Sequence, residues 1–137
     1  MLPTVCVCTK LRRSARAVTA LYDDALAPIG LTTPQFALLR ALQRTGASPL
    51  STLATATGLD RTTLNRTLQP LETDRLICSR PGADQRVRII ELTGAGMAKL
   101  ALGTPLWENA QRRMADALGT EHDRLFAILD RIEEIRA

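Results

Sequence analysis

The fold is decided by residues 49–93, which have the sequence PLSTLATATGLDRTTLNRTLQPLETDRLICSRPGADQRVRIIELT. The first nine of these residues place small and apolar side chains at three- and four-residue steps, which predicts a short helix that Gly58 ends. Asp60 then stands where a capping carboxylate accepts hydrogen bonds from the first N–H groups of a second helix. Leu64, Leu68 and Leu71 form one apolar stripe along that helix. The stretch therefore predicts two short helices joined by a tight turn.

The outward face of the second predicted helix is polar and carries no acid over its first three turns. Its donors and acceptors are Arg61, Thr62, Thr63, Asn65, Arg66 and Gln69. Acids come only near the end, at Glu72 and Asp74. In a helix-turn-helix motif the second helix lays such a face against base edges in the major groove, where Arg favours guanine and Asn favours adenine. The pattern predicts a DNA-reading helix, and the alternative is an ordinary solvated helix face.

A β-hairpin is predicted after the second helix. Residues 76–80 and 86–92 have the composition of strands, and residues 81–84 have that of a turn. Three arginines lie at its tip and flanks: Arg80, Arg86 and Arg88. We expect one or more of them to enter a minor groove or to contact phosphates, with solubility charges as the alternative for Arg80 and Arg88. Asp84 lies two residues before Arg86 and is close enough to orient its guanidinium.

The order helix, turn, helix, β-hairpin and a further helix opening at Thr93 resembles the winged-helix core of MarR-family transcriptional regulators. The matching residues are 59–64, the run from Leu68 to Glu72, Asp84 with Arg86, and Leu92-Thr93 with Gly96. The resemblance implies one mainly α-helical domain over residues 1–137 with a small β-hairpin wing. It implies a winged helix-turn-helix DNA-binding core at residues 33–92, and dimerisation helices at residues 1–30 and 93–137. In the family, the residue matching Arg86 either reaches the minor groove or braces the wing through the carboxylate matching Asp84.

Helical patterns flank this core on both sides. Apolar residues recur at helical spacing from about residue 8 to residue 26, and Pro28 and Gly30 end that pattern. A further helix is predicted to start at Thr33 with a capping hydroxyl and Pro34 at its first position; its buried face is Phe36, Leu38, Leu39 and Leu42. Thr93 is predicted to cap a long helix that ends near residue 118, with a kink or a break at Pro105.

The last helix has an apolar stripe that is longer than a small domain needs. It follows Gly119 and carries Leu125, Ile128, Leu129, Ile132 and Ile135 on one face. The family resemblance implies that this stripe packs against a second subunit. A homodimer also suits DNA, because two reading helices about 34 Å apart meet successive major grooves of a pseudo-palindromic site.

Composition narrows the class of protein. The 137 residues are enough for one domain, and the 45% hydrophobic content argues against disorder. Aromatic residues make up only 3%, so the core must use Leu, Ala, Ile and Val, which favours helices. The net charge of +4 permits nucleic-acid binding. No apolar run approaches the roughly 20 residues that span a bilayer, and the start lacks the order of a secretory signal, so we expect a cytoplasmic protein without membrane contact.

Two cysteines suggest how DNA binding is regulated. Cys6 and Cys8 lie at or just before the first helix, where helix N–H groups and the nearby Lys10 would stabilise a thiolate. Cys8 precedes Tyr22 by fourteen residues, a spacing similar to that of the sensing cysteine and a tyrosine in the organic-hydroperoxide-sensing branch of the family. Cys8 oxidised to a sulfenic acid would form a disulfide with Cys6 or Cys78 of either subunit, or with a small thiol.

This second resemblance is partial. Two further tyrosines of that branch are replaced here by Arg12 and Thr33. The Cys6-Val7-Cys8 sequence also resembles the thiolate pair that binds arsenite or metals in another winged-helix repressor family, with Cys78 or a partner subunit as a third ligand. The remaining interpretation is that the cysteines are structural and that a small aromatic ligand, or none, acts elsewhere.

Enzymatic function finds no support in the sequence. His122 is the only histidine, so a Ser-His-Asp triad has no obvious centre, and no glycine-rich phosphate loop is present. We expect no catalytic activity and no cofactor. The sequence thus predicts a homodimeric DNA-binding transcriptional regulator, a repressor that an inducer releases. The rival class is a winged-helix module that binds proteins and does not contact DNA.

Overall fold

A computed structural model describes residues 5–136 of the chain, and this part is mainly α-helical with a small antiparallel sheet. The helices are α1 (Val7–Leu26), α2 (Thr33–Thr45), α3 (Leu50–Thr57), α4 (Arg61–Thr73), α5 (Gly94–Leu118) and α6 (His122–Glu133). The strands are β1 (Ser48–Pro49), β2 (Ile77–Pro81) and β3 (Arg88–Leu92). Short 3₁₀ turns cover Ala27–Ile29, Gly119–Glu121 and Glu134–Arg136. The predicted order of helix, turn, helix, hairpin and long helix is confirmed.

The core is built around α2. Five of its residues are buried: Phe36, Leu38, Leu39, Ala41 and Leu42. Leucines of α3 and α4 and the buried Ile77 and Ile90 of the hairpin belong to the same hydrophobic cluster, which also includes Leu26, Leu31, Leu76 and Leu100. The helix-turn-helix is therefore held by apolar burial on one side only, and its other side faces solvent.

The sheet has the strand order β1-β3-β2, with both neighbouring pairs antiparallel. Strand β1, in which Ser48 lies opposite Ile90, was not predicted, because two residues carry no readable periodicity. The predicted second hairpin strand is also too long, since β3 begins at Arg88 and not at residue 86. Local bonds explain the difference: the N–H groups of Arg86 and Val87 donate to the side chain and the carbonyl of Asp84, at 3.1 and 2.9 Å.

Helix α2 begins one residue earlier than predicted. Its cap is Thr32, whose hydroxyl accepts from the Gln35 N–H at 3.4 Å, while the Gln35 side chain accepts from the Thr32 N–H at 2.9 Å. Thr33, the predicted cap, instead donates from its N–H and its hydroxyl to the Asp23 carboxylate, at 2.7 and 2.6 Å. Asp23 thereby ties α1 to the start of α2.

Helix α5 runs unbroken from Gly94 to Leu118, so of the kink or break predicted at Pro105, the break is wrong. An interior proline costs about 3 kcal/mol or more, because it removes a backbone hydrogen bond and crowds the preceding turn. Buried contacts hold the helix on both sides of this position, through Leu100 and Gly103 before it and Ala110 after it. These contacts keep the two halves in one helix.

The terminal helices α1 and α6 bury far fewer residues than the core helix α2. Helix α6 contains no buried residue, and α1 buries only Leu26. Large apolar side chains are left exposed on α5 and α6, with Leu102 at 63% and Phe126 at 54% exposure. No helix in residues 5–136 combines the length and the apolar character that crossing a membrane requires.

Candidate nucleic-acid interface

Helix α4, which we call the reading helix, is held in place by buried leucines on one side and by a carboxylate cap at its start. Leu64, Leu68 and Leu71 are buried against the core. The Asp60 carboxylate accepts from the Thr63 N–H at 2.7 Å, as predicted. This hydrogen bond is also the main reason why the pKa of Asp60 lies below its ordinary value. The polar side of the reading helix is consequently turned outward in a defined orientation.

Five of the six predicted contact residues on the reading helix are exposed: Arg61, Thr62, Asn65, Arg66 and Gln69. The sixth, Thr63, is half-buried. Within residues 5–136, neither Arg61 nor Arg66 forms an ion pair. Their guanidinium groups are therefore free to meet an anion or a base edge. Pro70 lies inside the last turns of the helix, which continues to Thr73.

The wing, residues 77–92, presents Arg86 at its tip. The Asp84 carboxylate accepts from Nε and Nη2 of Arg86 at 3.2 and 3.1 Å, which is a two-pronged ion pair. The Arg86 side chain is nevertheless 90% exposed. Its guanidinium lowers the pKa of Asp84, so the pair is charged throughout the neutral range. Asp84 orients Arg86, as the spacing predicted, and leaves the outer edge of the guanidinium accessible.

The other two wing arginines lie near acids. Arg88 donates from Nη2 to the Glu72 carboxylate at 3.1 Å and to the Ser79 hydroxyl at 2.8 Å. Arg80 Nε lies 3.8 Å from the Glu91 carboxylate. From the sequence, Glu72 is only an acid near the end of the helix. Its partner Arg88 is sixteen residues away, so no local pattern could have revealed the pair.

A cleft of about 500 Å³ separates the reading helix from the wing. It is lined by Pro49, Leu50, Ser51, Ala54, Arg61, Leu64, Arg86, Val87 and Arg88. The structure thus brings arginines of the reading helix and of the wing to one opening, although 24 residues lie between Arg61 and Arg86. A phosphate group at this opening would meet positive charge from both elements.

The three cysteines of the described chain are free thiols. Cys6 is the capping residue before α1, Cys8 lies in its first turn, and Cys78 lies on β2; all three are exposed and free. The backbone N–H groups of Thr9 and Cys8 lower the pKa of Cys6. Over residues 5–136 no three His, Cys, Asp or Glu side chains are grouped to hold a metal ion, so Cys78 does not complete a three-ligand site with the cysteine pair inside one chain.

Tyr22 does not contact Cys8 in the same subunit. Both residues lie on α1, and fourteen residues of α-helix span about 21 Å. The Tyr22 hydroxyl instead donates to the side-chain oxygen of Gln111 on α5. Partial burial raises the pKa of Tyr22, so the phenol stays protonated at neutral pH. Within the described chain Tyr22 joins two helices, and a contact with Cys8 requires another subunit.

A second cavity, of about 200 Å³, lies where α1, α2 and the end of α3 meet. Its lining is Thr19, Thr33, Pro34, Ala37, Thr57 and Leu59. It could not be predicted from the sequence, because its lining comes from three separate segments.

A polar, outward-facing helix packed on a leucine core beside a β-hairpin wing defines a winged helix-turn-helix protein. The sequence profile of the MarR family matches residues 29–86, a segment that contains α2, the helix-turn-helix and strand β2. Together with the structural relatives described next, this match shows that the chain belongs to the MarR family of transcriptional regulators.

Three relatives illustrate the similarity. The Mycobacterium tuberculosis transcriptional regulator MosR, solved in complex with DNA, is 38% identical, with a TM-score of 0.84 over 97% of this chain and 100% of that one. Bordetella bronchiseptica BpsR, whose DNA binding is regulated by 6-hydroxynicotinic acid, is 26% identical, with a TM-score of 0.80 over 93% and 98%. The transcriptional repressor NicR of Pseudomonas putida is 33% identical over 66% of this chain, and the match spans 58% of NicR.

Proposed function

We propose that this regulator is a homodimeric repressor that binds a pseudo-palindromic DNA site in the cytoplasm and leaves it when an inducer acts. The observation that carries the proposal is the opening at which Arg61 of the reading helix and Arg86 of the wing lie together, with Arg61 and Arg66 unpaired within residues 5–136. Arg66 and Asn65 are the candidates for base contacts, Thr62, Thr63 and Gln69 for further contacts, and Arg80 and Arg86 for phosphates or the minor groove. The DNA complex of MosR supports DNA binding as the role of this fold.

The dimer is proposed from the surfaces that one chain leaves uncovered. Residues 33–92 form the DNA-binding core, and residues 1–30 and 93–137 supply the contacts to the second subunit. The absence of buried residues on α6 and the exposure of Leu102 and Phe126 support this division. Two subunits related by a two-fold axis would present two reading helices to successive major grooves.

The test is DNA binding as a function of salt. DNA flanking the gene of this protein is footprinted, and the affinity for the protected site is measured by fluorescence anisotropy from low to moderate salt. Arg66→Ala should weaken binding, and should reduce the slope of log affinity against log salt by about one if the residue contacts phosphate. Arg44→Ala, which removes the same charge from an exposed position on α2 outside the proposed contact residues and dimer helices, is the matched control. An affinity that hardly responds to salt would favour the protein-interaction module.

The inducer is proposed to act through oxidation of the cysteine pair. A hydroperoxide would oxidise the Cys8 thiolate to a sulfenic acid and leave as the alcohol. The Cys6 thiolate would then attack the Cys8 sulfur, forming the disulfide and releasing hydroxide, which takes up a proton to become water. The lowered pKa of Cys6 supports its part as the attacking thiolate. Cys8→Ser should abolish release from DNA by peroxide, whereas Cys78→Ser should preserve it; release that persists in Cys8→Ser would exclude this route.

A second candidate inducer is a small aromatic acid in the cavity between α1, α2 and α3. At about 200 Å³ this cavity suits a single ring, and the regulation of BpsR by 6-hydroxynicotinic acid supports this ligand class. Ala37→Leu should fill part of the cavity and weaken the response to aromatic acids without changing the response to peroxide. If Ala37→Leu and the unmodified protein responded equally to aromatic acids, the cavity would be excluded as the binding site of these acids.

A further inference from the structure

We propose that Glu72, at the end of the reading helix, positions the wing for DNA binding by clamping Ser79 and Arg88. Under this proposal Arg88 is a positioning residue and not a phosphate contact. The inference rests on the proposed function, because it concerns how the wing is presented to DNA.

The clamp is a closed triangle of hydrogen bonds. One carboxylate oxygen of Glu72 accepts from the Ser79 hydroxyl at 2.9 Å, and the other accepts from Arg88 Nη2 at 3.1 Å. The same Nη2 donates to the Ser79 oxygen at 2.8 Å. The donor and acceptor roles are consistent, since the Ser79 hydroxyl donates to the carboxylate and accepts from the guanidinium. One side chain of the reading helix therefore holds both strands of the hairpin.

The sheet register explains why these groups meet. Ser79 on β2 lies opposite Ile90 on β3, and Arg88 is two residues before Ile90, so all three side chains share one face. Ile90 is buried on that face, which turns Ser79 and Arg88 toward the end of the reading helix. The Arg88 guanidinium is therefore directed to Glu72, while Arg86, two residues earlier, remains at the exposed tip.

This arrangement sets the angle between two DNA-contacting elements. The buried base of the hairpin is fixed by the core, but the cleft of about 500 Å³ leaves a gap between its tip and the start of the reading helix. The clamp is a polar connection from the far end of that helix to the wing. Without it, Arg86 would sample more positions relative to Arg61, and fewer molecules would present both arginines correctly spaced.

Charge gives a direct way to test this role. An acid on a DNA-binding protein repels phosphates, so Glu72→Gln should strengthen binding if charge alone mattered. If Glu72 positions the wing, the same substitution should weaken binding although it removes a negative charge. Asp74→Asn is the matched control, because it removes the same charge two residues away at a side chain without an ion pair in residues 5–136.

The experiment combines a DNA readout with one that needs no DNA. In the free protein, Glu72→Gln should increase hydrogen exchange of the β2–β3 backbone amides, and Asp74→Asn should not. On DNA, Glu72→Gln and Arg88→Met should each weaken binding about threefold to tenfold, with the double variant no weaker than either single one. The Arg88→Met salt slope should match that of the unmodified protein.

Opposite results would overturn the proposal. Unchanged wing exchange in Glu72→Gln would show that there is no clamp, whatever the protein does with DNA. Tighter DNA binding by Glu72→Gln would make Arg88 a phosphate contact. The same conclusion would follow if Arg88→Met reduced the salt slope of binding by about one and the losses of affinity were additive in the double variant. If the unmodified protein shows no salt-dependent DNA binding, the proposed function fails, and the exchange result still decides whether Glu72 holds the wing.

Discussion

A Cβ atom on Gly103 would lie 2.6 Å from Cε2 of Phe36, closer than real Cβ contacts come. The same atom would lie 2.7 Å from the Cδ1 atom of Ile29. Gly103 is buried on α5, and Phe36 is buried on α2. Because residue 103 has no side chain, α5 packs directly against the Phe36 ring in the core.

Gly103→Ala should lower the thermal stability of the protein. Alanine normally stabilises a helix by about 1 kcal/mol relative to glycine, whereas overpacking a filled core costs about 1–3 kcal/mol. We expect the second effect to dominate, because a buried ring cannot move aside freely. Gly94→Ala, at an α5 position where a Cβ meets nothing within 4 Å, is the matched control and should not destabilise. Thermal denaturation measures the stability of both variants. Equal melting temperatures for Gly103→Ala and the unmodified protein would show that α5 shifts without losing stability.

Thr93→Ala should destabilise the junction between the wing and α5. The Thr93 hydroxyl accepts from the Gly96 N–H at 3.0 Å and donates to the carbonyl of Arg75 at 2.6 Å. Loss of a capping hydroxyl costs about 0.5–2 kcal/mol. Thr93→Ser keeps the hydroxyl and should retain most of the stability in urea denaturation. Thr73→Ala, which removes a hydroxyl bonded only within its own helix, should cost less; an equal cost would deny Thr93 a special role.

Asp84→Asn should weaken DNA binding even though it removes a negative charge. The amide cannot accept from both Nε and Nη2 of Arg86, so the guanidinium loses its fixed direction. Arg86→Ala should weaken binding further, and the double variant should resemble Arg86→Ala alone because the carboxylate acts through the arginine. Anisotropy titrations on one DNA site measure all three. Binding strengthened by Asp84→Asn would mean that orientation of Arg86 does not matter.

Cys6 should react with iodoacetamide at lower pH in the folded protein than in the unfolded chain. Hydrogen bonds from the N–H groups of Thr9 and Cys8 lower its pKa, so the reactive thiolate is populated earlier as the pH rises. The stabilisation from these bonds is present above the unfolded-chain pKa and is lost as the pH falls through the lower folded pKa. The measurement uses a Cys8→Ser, Cys78→Ser variant, compared with and without urea. The expected shift would be contradicted if the rate of reaction with iodoacetamide depended on pH in the same way with and without urea.

Local patterns in the sequence determined the order of the elements, the leucine stripe of the reading helix, and the capping roles of Asp60 and Thr93. They also placed Asp84 beside Arg86, since the two are only two residues apart. These features depend on helical period, turn composition and capping chemistry, which act over a few residues and can therefore be recognised without coordinates.

Only the tertiary structure decided that Arg88 bonds Glu72, that β1 joins the sheet, and that α5 continues through Pro105. It also showed that the cap of α2 is Thr32, because Asp23 of another helix binds Thr33. Each of these outcomes depends on groups brought together from separate segments. Local propensity is weak compared with the burial and hydrogen bonding that such contacts supply, so the packed chain and not the local pattern determined them.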